Sequence, residues 1–120
     1  MQIIAEVKTF SPFGWKSQRS WEELFAIADT FGDIISIHTD PRWHGSFELV
    51  KRARNLTAKP ILAKGIHARD IDIKRALDAG ATFVLVVGRV PAVHNEKCLI
   101  ELNSLAEFSA LLKGVKAIWN

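Results

Sequence analysis

The stretch K59-P-I-L-A-K-G-I-H-A-R-D-I-D-I-K-R-A-L-D-A-G-A-T-F-V-L-V-V-G88 decides the fold. It opens on a short apolar run entered through Pro60, continues into an amphipathic segment over 68–79, stops at Gly80 and resumes as ATFVLVVG, almost entirely apolar. Near-continuous β-branched and aliphatic runs are the signature of strands covered on both faces, and a helix between two of them is the crossover of a parallel pair. Gly80 is the expected helix stop. The stretch therefore predicts strand, helix, strand.

The same alternation extends outward. Towards the amino terminus, IIAEVK (3–8) predicts a strand ended by Ser11-Pro12 and Gly14, and SWEELFAIADTFG (20–32) a helix. Ser20 with Glu23 three residues on forms a capping box, and Leu24, Ile27, Ala28 and Phe31 make the expected buried stripe. DIISIHTD (33–40) predicts a strand and SFELVKRARNL (46–56) a helix capped by Ser46. Towards the carboxyl terminus, RVPAVHNEK (89–97) is too short and proline-interrupted for a helix. CLIEL (98–102) predicts a strand, SLAEFSALLKG (104–114) a helix and VKAIWN (115–120) a sixth strand. The alternation implies an α/β fold, either a doubly wound sheet or a (β/α) barrel. No GxGxxG or GxxxxGK[ST] follows the first strand, which removes the commonest nucleotide-binding reasons for a doubly wound sheet.

Composition limits the function classes. The 120 residues are 48% hydrophobic, enough for one domain, 1–120, with a real core. The net charge of +3 is spread along the chain, which argues against nucleic acid and is compatible with a small anionic ligand. Cys98 stands alone, so no internal disulfide forms, and a reducing cytoplasmic setting fits. No charged-then-apolar leader and no membrane-length apolar run is present, so the expectation is a soluble cytoplasmic protein that does not bind a membrane.

Polar residues gather in the carboxyl-terminal halves of the strands: Glu6 and Lys8, then His38, Thr39 and Asp40, then Lys64, Glu101 and Asn120. That end of a (β/α) barrel is its catalytic face. Glu6 and Lys8 share strand parity, so both can face inward. The alternative is a solvated pair on an edge strand. Glu101, between Leu99-Ile100 and Leu102, is the hardest to explain as surface. For His38 a hydrogen-bonded structural role outweighs a catalytic one. Trp15 and Trp43, in loops after strands, either stack on an aromatic ligand or cap the core. His44, His67 and His94 lack metal-ligand spacing, and no metal is expected.

Together these segments resemble indole-3-glycerol-phosphate synthase, a (β/α)-barrel lyase. IIAEVKTFSP looks like the family's IIAEIK-x-x-SP, HTDPRWHGSFELV is similar to LTDxxFFGGSxEDL, and KPILAKGI to LPVLRKDF. RALDAGATFVLVV is like EARAxGADAVLLI, CLIELNSLAEF resembles VLVEVHDxEEL, and GVKAIWN resembles the start of a stretch ending IGINNRDL. The six segments occur in family order. The resemblance implies an incomplete or reduced TIM-type barrel of about six parallel strands with alternating helices, whose substrate is a phosphorylated anthranilate sugar, used without cofactor or metal. It implies Lys64 as general acid, Glu101 as base in the dehydration, Lys8 at the substrate's carboxylate side, Glu6 orienting these groups, Asn120 near the substrate hydroxyls and Ser11 beside the phosphate. Trp43 is the candidate to stack on the aromatic ring.

The chain also departs from the family. Gly65-Ile66 stands for Asp-Phe after the acid lysine, and Trp43-His44 for a Phe-Phe or Phe-Gly pair. A (β/α)8 barrel needs about 200–250 residues, so the last two units, with their phosphate-binding backbone, fall outside this sequence. Six strands at eight-strand stagger do not close. The expectation is a homo-oligomer or a complementing chain that covers the sheet edges; a non-catalytic ligand-binding or self-assembling fragment is the alternative.

Overall fold

The computed structural model describes residues 2–102 and 116–119. Six strands form one parallel sheet, β1 (Ile4–Val7), β4 (Ile34–His38), β5 (Ile61–Lys64), β6 (Phe83–Val87), β7 (Cys98–Leu102) and β8 (Lys116–Trp119), side by side in that order. Helices α1 (Trp21–Phe31), α2 (Phe47–Leu56) and α3 (Asp70–Ala79) connect the first four. This is the β/α alternation of part of a TIM-type barrel. Between β6 and β7 the connection holds only a 3-10 turn, Asn95–Lys97, as the proline-interrupted sequence requires. The helix expected over 104–114 lies outside the described residues.

Caps set the helix starts. Ser20 Oγ accepts from Glu23 N at 3.2 Å while the Glu23 carboxylate accepts from Ser20 N at 3.5 Å. Ser46 Oγ accepts from Leu49 N at 3.2 Å. Asp72 closes the first turn of α3 by accepting from Arg69 N at 3.3 Å. That helix ends on Gly80 at φ 115°, where a Cβ would sit 2.6 Å from Arg54 Cγ. Arg54 in turn donates to the carbonyls of Thr57, Lys59 and Gly80, tying the ends of α2 and α3 to the start of β5.

Side-chain parity divides the sheet cleanly. One face packs on the helices, and its register row Val7–Ile37–Ala63–Val84–Cys98 crosses five strands. Every member of that row is buried, as are Ile35, Ile61, Val86 and Ile100 beside it. Phe25, Ala28, Val50, Ala53, Ile73 and Ala76 complete this core from the helices.

Two details differ from the sequence reading. The apolar residues of α1 offer two overlapping helical stripes. The sheet takes Trp21, Leu24, Phe25 and Ala28, leaving Ile27 and Phe31 at 42% and 71% exposure. Among the described residues no strand lies beyond β1 to cover that side of α1. The segment after β1 is a small antiparallel hairpin, β2 (Phe10–Ser11) with β3 (Trp15–Lys16), turning through Gly14 at φ 104°.

Candidate active site

The other face of the sheet carries a different set of side chains: Glu6 from β1, Ser36 and His38 from β4, Leu62 and Lys64 from β5, Leu85 and Val87 from β6, Glu101 from β7. The deeper members, Ser36, Leu62 and Leu85, are buried. The outer members line a cleft of about 250 Å³ at the carboxyl-terminal end of the strands. Glu6, Lys8, Lys64 and Glu101 all border it, together with His38 and Trp43; Leu85 and Val87 give it an apolar wall.

The electrostatics centre on Glu6. His38 is level with Lys64 in the β4–β5 register, whereas Glu6 is level with Ser36, one step lower. Both basic side chains therefore reach down to the carboxylate. Lys64 Nζ donates to Glu6 Oε1 at 2.9 Å, and His38 Nε2 lies 2.6 Å from the same oxygen. The hydrogen bond from His38, with a smaller contribution from Lys64, holds the Glu6 carboxyl down at about 2 against the opposing effect of burial. Glu6 is ionised at neutral pH and gives Lys64 a fixed counter-charge.

The sequence puzzle of Glu6 beside Lys8 resolves differently from a mutual pair. Both residues border the cleft, but Lys8 Nζ lies 5.5 Å over the Trp15 ring, and the partners of Glu6 come from neighbouring strands. Trp43 stands at the rim in a 3-10 turn (Pro41–Trp43) opened by Asp40, with its ring nearly parallel to His38 at 6.2 Å. Arg42 pairs with Asp40 at 2.7 Å, and that hydrogen bond lowers the Asp40 carboxyl. Ser11 lies off the cleft: it is buried in the hairpin, where its Oγ accepts from Phe13 N at 3.2 Å. Asn120 lies outside the described residues.

His38 is hydrogen-bonded, as expected from the sequence, but the strand-end pattern did not name Glu6 as its partner. The signal was present, since His38 and Lys64 both stand at a strand end with inward parity. No segment-level pattern places them level. Among the described residues no group of three or more His, Cys, Asp or Glu side chains has metal-binding geometry, and no helix is long and apolar enough to cross a membrane. What the cleft offers is an ammonium seated on a carboxylate, a second lysine, a second carboxylate across an apolar wall, and an indole at the mouth. Such a site can hold an aromatic anion and pass a proton to an oxygen on it.

Comparison with known proteins places the chain in a family. The family model described as Indole-3-glycerol phosphate synthase matches residues 1–113. Curated relatives carry the same description. The protein from Thermococcus kodakarensis is 36% identical over 126 aligned positions, covering 92% of this chain and 56% of the relative. That from Campylobacter curvus is 34% identical over 105, covering 83% and 40%, and that from Bacillus mycoides is 34% identical over 126, covering 97% and 45%. The chain thus spans about half the length of the curated relatives it matches. With a family model matched over nearly its whole length, parallel β/α architecture and a lysine–carboxylate cleft at the strand ends, the chain belongs to the indole-3-glycerol phosphate synthase family.

Proposed function

We propose that this chain supplies the acid–base half of an indole-3-glycerol phosphate synthase site in tryptophan biosynthesis. The reaction closes the indole ring of 1-(2-carboxyphenylamino)-1-deoxyribulose 5-phosphate with loss of CO2 and water. Lys64 protonates the ketone oxygen as the ring carbon attacks, Lys8 faces the departing carboxylate, and Glu101 serves as base in the dehydration. Glu6 orients Lys64, Trp43 stacks on the ring and Asn120 binds the sugar hydroxyls; Ser11, buried in the hairpin away from the cleft, drops out of the expected set. The single observation that carries this reading is the convergence of Lys8, Lys64 and Glu101 on one cleft, with Lys64 Nζ held by Glu6 at 2.9 Å.

A second copy or a complementing chain covers the open edge of the sheet. Edge strand β1 leaves Ile4 half exposed, with Ile3 and Phe31 exposed nearby, and an open apolar edge favours pairing. The second reading, a ligand-binding or self-assembling fragment without turnover, rests on the same edge. Indole fluorescence assayed alongside light scattering across a dilution series separates the two. Product that falls on dilution, and that drops at least about 100-fold in Lys64→Ala, supports the lyase. Ligand binding or assembly with no product supports the alternative, and product unaffected by Lys64→Ala refutes the role given to Lys64.

A further inference from the structure

His38 has no part in the roles assigned above, and the family segment that HTDPRW resembles begins with leucine, which donates no hydrogen bond. Here position 38 is 7% exposed, stands on the strand between those of Glu6 and Lys64, and brings Nε2 within 2.6 Å of Glu6 Oε1. The same oxygen already receives Lys64 Nζ. Two donors converging from adjacent strands fix a carboxylate more tightly than one flexible ammonium can, because each constrains a different direction of swing.

We propose that His38 is a positioning residue: its Nε2–H clamps Glu6 Oε1, so that Lys64 always meets a carboxylate in one orientation and keeps its remaining ammonium hydrogens for the ligand. The inference deepens the reading above, since the value of a well-aimed Lys64 proton rests on that reaction. The clamp itself is a property of the folded chain. Its surroundings agree. Glu6 is the carboxylate facing the ring from β1. Lys64 comes from β5, Lys8 and Glu101 border the same cleft, and Asp40, two residues along, is engaged by Arg42. The packing of Trp43 nearly parallel to the imidazole at 6.2 Å limits rotation of the ring on its open side.

The test is nuclear magnetic resonance on the labelled whole chain. In the unaltered chain above neutral pH, ring nitrogen shifts should place the His38 proton on Nε2; a neutral ring protonated on Nδ1 overturns the clamp. Next, the Glu6 carboxyl is titrated in the unaltered chain, in His38→Gln, whose amide keeps a donor near the Nε2 position, and in His38→Leu, which keeps volume and loses the donor. The expected result is a midpoint near 2 in the unaltered chain, a similar one in His38→Gln, and a rise towards the ordinary glutamate range in His38→Leu. Equal midpoints in the unaltered and Leu chains overturn the proposal, as they show His38 acting only by packing. If His38→Leu fails to fold, the ring tautomer and the Gln chain decide. None of these readouts needs turnover, so failure of the lyase reading and failure of the clamp are separately visible.

Discussion

Replacing Glu6 with Gln tests how much of the fold's stability the cleft holds. The amide oxygen of Gln still accepts from Lys64 and His38, so the change removes charge and leaves shape nearly intact. An ordinary glutamate ionises near 4.5 and Glu6 at about 2. The folded state therefore favours the charged form more than the unfolded chain does, and stability rises wherever the unfolded state binds more protons. The contribution is complete above about 4.5 and disappears as pH falls towards 2. At about 1.4 kcal/mol per tenfold difference in proton affinity the gap corresponds to roughly 3 kcal/mol. The Glu6 side chain is 35% exposed and Lys64 43%, so water screens the pair and about 1–2 kcal/mol survives. Urea unfolding followed by tryptophan fluorescence, run in parallel on both chains, should show that loss at pH 7 and at pH 5.5, shrinking below pH 4.5. Asp40 and Asp72 also have lowered carboxyls, but they are present in both chains and cancel in the difference. A difference that stays constant from pH 7 to pH 3, or that is zero at pH 7, would refute the reasoning.

Other substitutions probe the frame that presents the cleft. Gly80→Ala places a Cβ against Arg54 at φ 115° and should cost about 1–3 kcal/mol, seen as a lowered thermal midpoint. Ser20→Ala removes the capping-box acceptor for Glu23 N and should lose about 1 kcal/mol in urea unfolding, with Ser20→Gly losing less. Ile37→Ala, at a fully buried position on the helix side of β4, should cost about 2–5 kcal/mol. An Ile37→Ala chain as stable as the original in urea would mean that the β4–helix core is not packed as described.

Local signals in the chain carry most of the fold. Apolar runs of four to five residues between caps and glycines mark β4, β5 and β6 to within a residue or two, because a doubly covered strand tolerates few polar residues. Ser20 and Ser46 mark helix starts, because an N-cap acts within one turn. The failures are tertiary. Ile27 and Phe31 fit the helical period as well as Trp21 and Phe25 do, and only the position of the sheet chooses between them. Lys8 and Glu6 look like a pair in sequence, yet Lys8 meets Trp15 across a hairpin that two-residue strands are too short to announce. Strand-end polarity pointed to Glu6, Lys64 and Glu101 as inward-facing. It could not show that His38 and Lys64 share one carboxylate oxygen, since that depends on register between strands.

The Gly65-Ile66 departure from the family pattern has its reason behind the cleft. A Cβ at 65 would overlap Thr39 Oγ1 and press on the His67 ring at 3.2 Å. Those two groups are bonded to each other: Thr39 Oγ1 lies 2.8 Å from His67 Nε2, and His67 Nδ1 meets the carbonyl oxygen of Leu85. Since a carbonyl only accepts, Nδ1 carries the proton and Nε2 takes the hydrogen of the threonine hydroxyl. Burial pushes His67 below its usual range, which keeps the ring neutral and preserves this arrangement at physiological pH. One imidazole, on the turn after β5, thereby joins the end of β4 to β6. Thr39 N to Lys64 O and Val87 N to Ile66 O add backbone bonds at the same level. The strand ends that carry His38, Lys64 and the apolar wall are thus tied together through Thr39 and His67, which do not line the cleft. A side chain at 65 would have to displace that tie. Glycine beside Lys64 is therefore part of how the strand ends bearing His38 and Lys64 are held in register.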